Sequence, residues 1–334
     1  RITLMNKTLL LSSIITLSLA GAYAHASTED DGNGNVLFGI GTGTSLDGTG
    51  YNNNFFGLNA GASNTSGDNN LFLGFQAGLS NTIGKSNIFS GFRAGFNNTS
   101  GNNNIFSGFS AGHSNTTGYQ NTFSGMSTGY YNTTGYSNIF SGAFAGNKNT
   151  TGHDNIYSGY FAGGSNATGH DNIFSGYLAG YFNTTGSDNV FLGYRSGNSN
   201  ITGSYNLFLG RYSGYAETGS NKLYIEMNNG STTAPLIYGD FATDIVGING
   251  VLGVGTQLPT STLNVTRADG SAQILVEETN ATVAPRTLFE LKNNGNTKFT
   301  VNNTAAGVAW AFANSGTDFR LSRQGSGAIE FILS

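Results

Sequence analysis

The chain has 334 residues, a formal net charge of -4, 10% charged residues, 51 glycines, three prolines and no cysteine. So little charge argues against charge-driven disorder, so little proline excludes collagen, and 14 Lys+Arg without a basic cluster exclude a phosphate-neutralising nucleic-acid surface. Without cysteine there is no disulfide, zinc–thiolate site, thiol nucleophile or lipoprotein anchor.

The N-terminal segment reads as an export signal. Met5-Asn6-Lys7 opens a short basic stretch, Leu9 to Leu19 follow as an apolar run, and Ala24-His25-Ala26 supplies the small residues that a signal peptidase reads. Residues 1–26 are therefore expected to be a signal peptide cleaved after Ala26, with 27–34 as a short N-terminal segment. No second hydrophobic span follows, so the mature chain is expected outside the cell or at its surface, without an integral membrane segment.

A strict repeat begins next. Asn70, Asn87, Asn104, Asn121, Asn138, Asn155, Asn172, Asn189 and Asn206 are 17 residues apart, with looser copies starting at Asn35 and Asn53. Three glycine columns recur in step, headed by Gly74, Gly78 and Gly84. A helix does not tolerate three glycines per period, since each costs about 1 kcal/mol against alanine. Short extended runs with glycine at fixed corners predict an all-β fold, a parallel β-solenoid (β-roll) of about eleven coils over residues 35–220. Each coil reads as two short strands, of the Asn155–Ser158 and Tyr160–Ala162 type, and the asparagine column reads as an amide ladder.

Strand alternation sends the isoleucine column (Ile88, Ile105, Ile139, Ile156, Ile173) and its aromatic neighbours to opposite faces. Ser90 and Ala94 share the parity of Ile88, which suggests a narrow interior built from isoleucine, serine and alanine. The aromatic ladder of Phe72, Phe89, Phe106, Phe123, Phe140, Tyr157, Phe174, Phe191 and Phe208 is then expected outside, as an assembly surface.

At the turns, Asn64, Asn98, Asn115, Asn132, Asn149, Asn166, Asn183 and Asn200 each open an Asn-x-Ser/Thr triplet. Good turn formers explain them, and a glycosylation array is the functional alternative. Asp154, Asp171 and Asp188 stack in successive coils, the first two each preceded by a histidine, His153 and His170. Solvated loop acids are expected there, with a calcium site as the weaker alternative; no other cofactor is suggested. Asp30 to Asn35 lacks the bidentate glutamate of an EF-hand loop. No Ser–His–acid or paired-carboxylate arrangement stands out, so the chain is expected not to be an enzyme. The threonines from Thr117 to Thr202 offer an ice-binding reading, weakened by their place at turns.

Residues 221–334 lose the period. Leu223–Ile225, Leu236–Tyr238, Ile274–Val276, Leu288–Leu291, Phe299–Val301 and Trp310–Phe312 read as strands of a second β-rich region, whose end is compatible with truncation. Nothing at either end of the repeat reads as a cap, which predicts end-to-end assembly.

The stretch Ile105-Phe106-Ser107-Gly108-Phe109-Ser110-Ala111 is similar to the Val-x-Ile-Gly-x-x-Ala repeat of trimeric autotransporter adhesin heads. The Thr-Thr-Gly-x-x-Asn-x-x-x-Gly-x-x-x-Gly pattern resembles bacterial surface and phage tail-fibre proteins that carry an endosialidase-type chaperone domain. Val246 to Thr256 resembles their shaft entry. The resemblance covers Asn35 to about Thr266 and implies a trimeric β-roll and adhesion. The 17-residue, Phe-rich repeat and an end without chaperone or anchor depart from those families. Together these features suggest a non-enzymatic, self-assembling extracellular fibre protein whose partners are further copies of itself, surface glycans or extracellular matrix. A tail-fibre-like carbohydrate-binding module is the alternative.

Overall fold

A computed structural model describes residues 32–227 and 235–266, together with the backbone of four strands between 298 and 333. The expected signal peptide, the Asp30–Asp31 start of the calcium-like loop and the strands expected at 274–276 and 288–291 lie outside the described residues.

The protein is all-β, as the repeat predicts. Eleven three-residue strands stack in parallel: β1 (Val36–Phe38), β2 (Asn54–Phe56), β3 (Leu71–Leu73), β4 (Ile88–Ser90), β5 (Ile105–Ser107), β6 (Thr122–Ser124), β7 (Ile139–Ser141), β8 (Ile156–Ser158), β9 (Ile173–Ser175), β10 (Val190–Leu192) and β11 (Leu207–Leu209). Each residue pairs with its equivalent in the next coil, as in Ile105↔Thr122 and Phe106↔Phe123. Identical residues thus become continuous columns. The second expected strand of each coil is a run of turns instead. Its residues are held coil to coil, for example by Arg93 N–H on Phe75 O at 2.9 Å and Ser110 N–H on Phe92 O at 2.8 Å.

The expected sidedness is reversed. The aromatic column from Phe72 to Phe208 is the buried core, and the isoleucines face outward: Phe106 is 0% exposed and Ile105 44%. Alternation along the strand holds, but the parity count fails beyond it. Gly91 lies at φ +139° and Arg93 at +53°, so the chain bends between Ser90 and Ala94. Ser90 points out with Ile88, whereas Ala94 points in with Phe89. The interior is wide enough for phenyl rings because they lie flat on one another. From Phe55 to Phe208 the centroids are 4.7–5.0 Å apart at 4–8° between planes, so each ring occupies one coil height. The opposite wall is alanine and glycine. Gly112 at φ +59° faces Phe106, and a Cβ there would sit 2.4 Å from the ring. Gly108, at φ +139°, brings adjacent coils so close that its Cβ would meet Gly125 O at 2.4 Å.

Two amide ladders flank this core. In the first, Asn104 donates to Asn87 Oδ1 (3.1 Å) and to Gly118 O (2.9 Å), while its own Oδ1 accepts from Asn121 N–H (3.0 Å) and Asn121 Nδ2 (3.1 Å). In the second, Asn115 donates to Asn98 Oδ1 (2.7 Å) and again to Gly118 O (3.0 Å). The glycine carbonyl column therefore uses both lone pairs, and the narrow coil closes without unpaired buried backbone at that corner.

The sheet does not stop at residue 220. β12 (Lys222–Ile225) adds in parallel to β11, and β13 (Ile237–Asp240) and β14 (Ile245–Ile248) follow antiparallel. The expected boundary at 220/221 thus falls inside a compact unit that reaches Leu252. Tyr224 stacks on Phe208 at 5.2 Å and Tyr238 lies 5.5 Å from Tyr224, so tyrosines close the phenylalanine column. Lys222 takes the ladder position, giving its N–H to Asn206 Oδ1 and its Nζ to Asp240 at 2.6 Å. At this end β13 occupies the β12 edge, and the sheet's last strand is β14.

The second unit, from Gly253, contains β15 (Leu252–Val254, which straddles the boundary) paired with β16 (Leu263–Val265). It also holds an antiparallel sheet of β17 (Lys298–Asn303), β18 (Val308–Ser315), β19 (Asp318–Arg323) and β20 (Ile329–Leu333). Phe299–Val301 and Trp310–Phe312 lie in strands as the sequence predicts. Among the described residues no helix is long and apolar enough to cross a membrane.

Candidate functional site

The side chains available for contact are those the coil turns outward. The first and third residues of each strand from β1 to β11 face outward, and a third outward column follows the glycine bend. That column includes Phe92, Phe109, Met126, Tyr160, Tyr177 and Tyr194, all exposed. Along the first and third strand positions of β1–β11 no residue is charged, and in the column after the bend the single charge is Arg211. The solenoid thus carries a long uncharged face, larger than the scattered apolar residues normal on a monomer. Sequence reasoning expected the aromatic ladder outside as an assembly surface, and the structure places it inside. Phe72, Phe89, Phe106, Phe123, Phe140, Tyr157, Phe174, Phe191 and Phe208 cannot contact a partner because the coil encloses them.

The eight turn asparagines are also inside. Asn64, Asn98, Asn115, Asn132, Asn149, Asn166, Asn183 and Asn200 are fully buried. From Asn64 to Asn166 the Nδ2 atom, where a glycan would be attached, donates to a glycine carbonyl three residues on, as Asn132 does to Gly135 O at 3.1 Å. A glycan there would require opening the coil. The turn asparagines, read from the sequence as turn formers or a glycosylation array, are thus buried and not open to a glycan; the 17-residue strictness of this column, equal to that of the other ladder, was the available signal of a structural role.

One core position disturbs the second ladder. Tyr157 replaces phenylalanine, and its hydroxyl accepts from Asn166 Nδ2. Asn166 is drawn away from Asn149, whose Oδ1 is left buried and unpaired, and both amide atoms of Asn183 are unpaired as well. Burial pushes the Tyr157 phenol far above its usual range, with bonds to Asn166 and Asn172 opposing the shift. Tyr157→Phe is expected to let Asn166 rejoin the ladder and to raise stability by about 1 kcal/mol, roughly 2–4 °C in Tm. A thermal melt with an unchanged or lower midpoint would contradict that.

The histidine–acid column is a surface stack. The rings of Tyr119, Tyr136, His153 and His170 lie 4.6–5.0 Å apart at 2–4°. His153 Nδ1 is 2.8 Å from Asp154 Oδ2, and His170 Nδ1 is 2.8 Å from Asp171 Oδ2. Asp154, Asp171 and Asp188 each hold a left-handed backbone position, φ 55–58°, which aspartate adopts more readily than most residues. Among the described residues no group of three or more His, Cys, Asp or Glu side chains is gathered around a common point. His113 is sandwiched between Phe96 and Tyr130, 5.0 and 4.7 Å away, and burial with Arg93 nearby lowers its pKa. The exposed threonines from Thr117 to Thr202 form a single file on a bend.

No protein family, curated protein or solved structure matches the chain.

Proposed function

We propose that this is a non-enzymatic, extracellular structural protein that associates with further copies of itself into an adhesive fibre. The uncharged outer face carries the reading. It runs the length of a solenoid in which every rung is tied to the next by backbone, amide and ring contacts, so exposed isoleucines and aromatics are held in fixed rows. Covering rigid apolar rows gains the hydrophobic term at little cost in side-chain ordering. The export signal in the sequence and the resemblance to adhesin heads and tail fibres agree with this role.

Carbohydrate recognition is the weaker reading. A sugar ring lies on the flat face of an aromatic side chain, but the exposed rings stack on one another, Phe92 on Phe109 at 4.9 Å and Tyr160 on Tyr177 at 5.4 Å. Their faces are largely used within the column, and edges remain.

Light scattering is the test. The purified mature chain should have a multiple of its monomer mass, and Ile105→Lys with Ile156→Lys should lower that mass without changing the circular dichroism spectrum, because both side chains are already in solvent. A wild-type monomer at high concentration defeats the proposal.

A further inference from the structure

The third strand position changes size in blocks along the solenoid. It is large and apolar in β1–β3 (Phe38, Phe56, Leu73), serine in all six coils from β4 to β9 (Ser90 to Ser175), then large and apolar again in β10–β12 (Leu192, Leu209, Ile225). The antiparallel strands prolong the last block: Ile237 lies beside Ile225, and Ile248 beside Ile237. Five large residues therefore follow six small ones on one outward column, all exposed or half-buried. The neighbouring first-position column has no such block change: it is apolar at Ile105, Ile139, Ile156, Ile173, Val190, Leu207, Leu223 and Val246, with Thr122 in β6 and Gly239 in β13 as its two small positions.

We propose that two copies pack face to face with antiparallel axes, the large block of each lying on the serine block of the other. This rests on the self-association reading above and specifies its geometry. A two-fold axis between β9 and β10, directed along the strands, sets third position against third position and first against first. Leu192 then faces the second copy's β9 rung, Leu209 its β8 rung, and Ile225, Ile237 and Ile248 its β7, β6 and β5 rungs. At the third position every one of these rungs joins one large and one small side chain. At the first position Val190, Leu207, Leu223 and Val246 meet Ile173, Ile156, Ile139 and Ile105, and Gly239 meets Thr122. Outside that last pair each column keeps one separation, with the sheets about 10 Å apart.

Other pairings lack this constancy. With parallel axes, first position meets third: both columns are large on small in the middle coils and large on large in β10–β12, so the separation steps within one contact. Using the N-terminal block instead matches three rungs and brings Asn54 into the contact. The antiparallel register spans ten rungs, about 48 Å at ~4.8 Å each, and two columns about 14 Å wide. That is roughly 700 Å² per copy, close to the ~800 Å² of a standard stable interface.

The absence of cysteine makes the test direct. S158C and L209C, prepared separately, mixed and oxidised, should give a disulfide-linked dimer. S158C mixed with I156C should not, because in the antiparallel register those rungs are about 14 Å apart along the axis. Ser158→Leu, which places large on large, should weaken association at least tenfold with an unchanged circular dichroism spectrum. Linkage of S158C to I156C, or an oligomer in which S158C and L209C never link, overturns the register while leaving self-association standing. A monomeric wild-type chain overturns both.

Discussion

Phe106→Ser should unfold the central coils and not release soluble monomers. The Phe106 ring lies between Phe89 and Phe123 at 4.9 and 4.8 Å and is fully buried. Deleting a buried phenyl group typically costs about 3–5 kcal/mol, and a serine hydroxyl without a partner adds about 1–3 kcal/mol. Against a total stability of about 5–15 kcal/mol, that loss removes much of the margin. Because each coil contacts only its neighbours, the damage should spread from coil 5 as a local opening and not remain a point defect. Urea unfolding should show a large drop in midpoint, and hydrogen exchange should quicken first at Ile105 to Ser124. A variant with the wild-type midpoint and a smaller mass would mean that the ring is at an interface after all.

Asn104→Ala should be nearly as damaging, although it removes no apolar group. The Asn104 side chain takes part in four hydrogen bonds, to Asn87, Gly118 and twice to Asn121, all buried. Truncation leaves Asn87 Oδ1 short of one donor and strips the shared acceptor from the Asn121 N–H and amide. Each unsatisfied buried group costs about 1–3 kcal/mol, so about 3–5 kcal/mol in all is expected. Asn104→Ser should not rescue it, since a hydroxyl cannot reach both neighbours. The same substitution at the exposed Asn103 next to it should cost only about 1 kcal/mol, the strain of alanine at φ 58°, which makes the pair a controlled comparison. Equal effects at 103 and 104 would remove the amide ladder from the list of forces holding the coils.

The two substitutions probe different terms that serve one requirement. A coil of 17 residues is too thin for a conventional core, so its apolar filling must be flat and its polar backbone must be satisfied from inside. Stacked rings meet the first need and buried amides the second. The glycines opposite the rings, Gly112 facing Phe106, leave the space for both.

Residue spacing established the period, the solenoid class, the parallel in-register columns and the first amide ladder. These follow from spacing alone, because identical residues one coil apart must lie side by side. It also determined that Ile105 and Phe106 point to opposite faces. Which of them points inward was decided by tertiary structure: the bend at Gly91 and the left-handed turn at Arg93 break the parity that linked Ser90 to Ala94. Asn115 was legible as a turn former, but only the closed coil shows its amide buried against Gly118 O. The strand at 236–238 was legible, but its place on the end of the solenoid sheet, and β14 beyond it, were hidden for a further reason. Tyr238 caps Tyr224 through antiparallel pairing across a connection of irregular length, and no periodicity records such a contact.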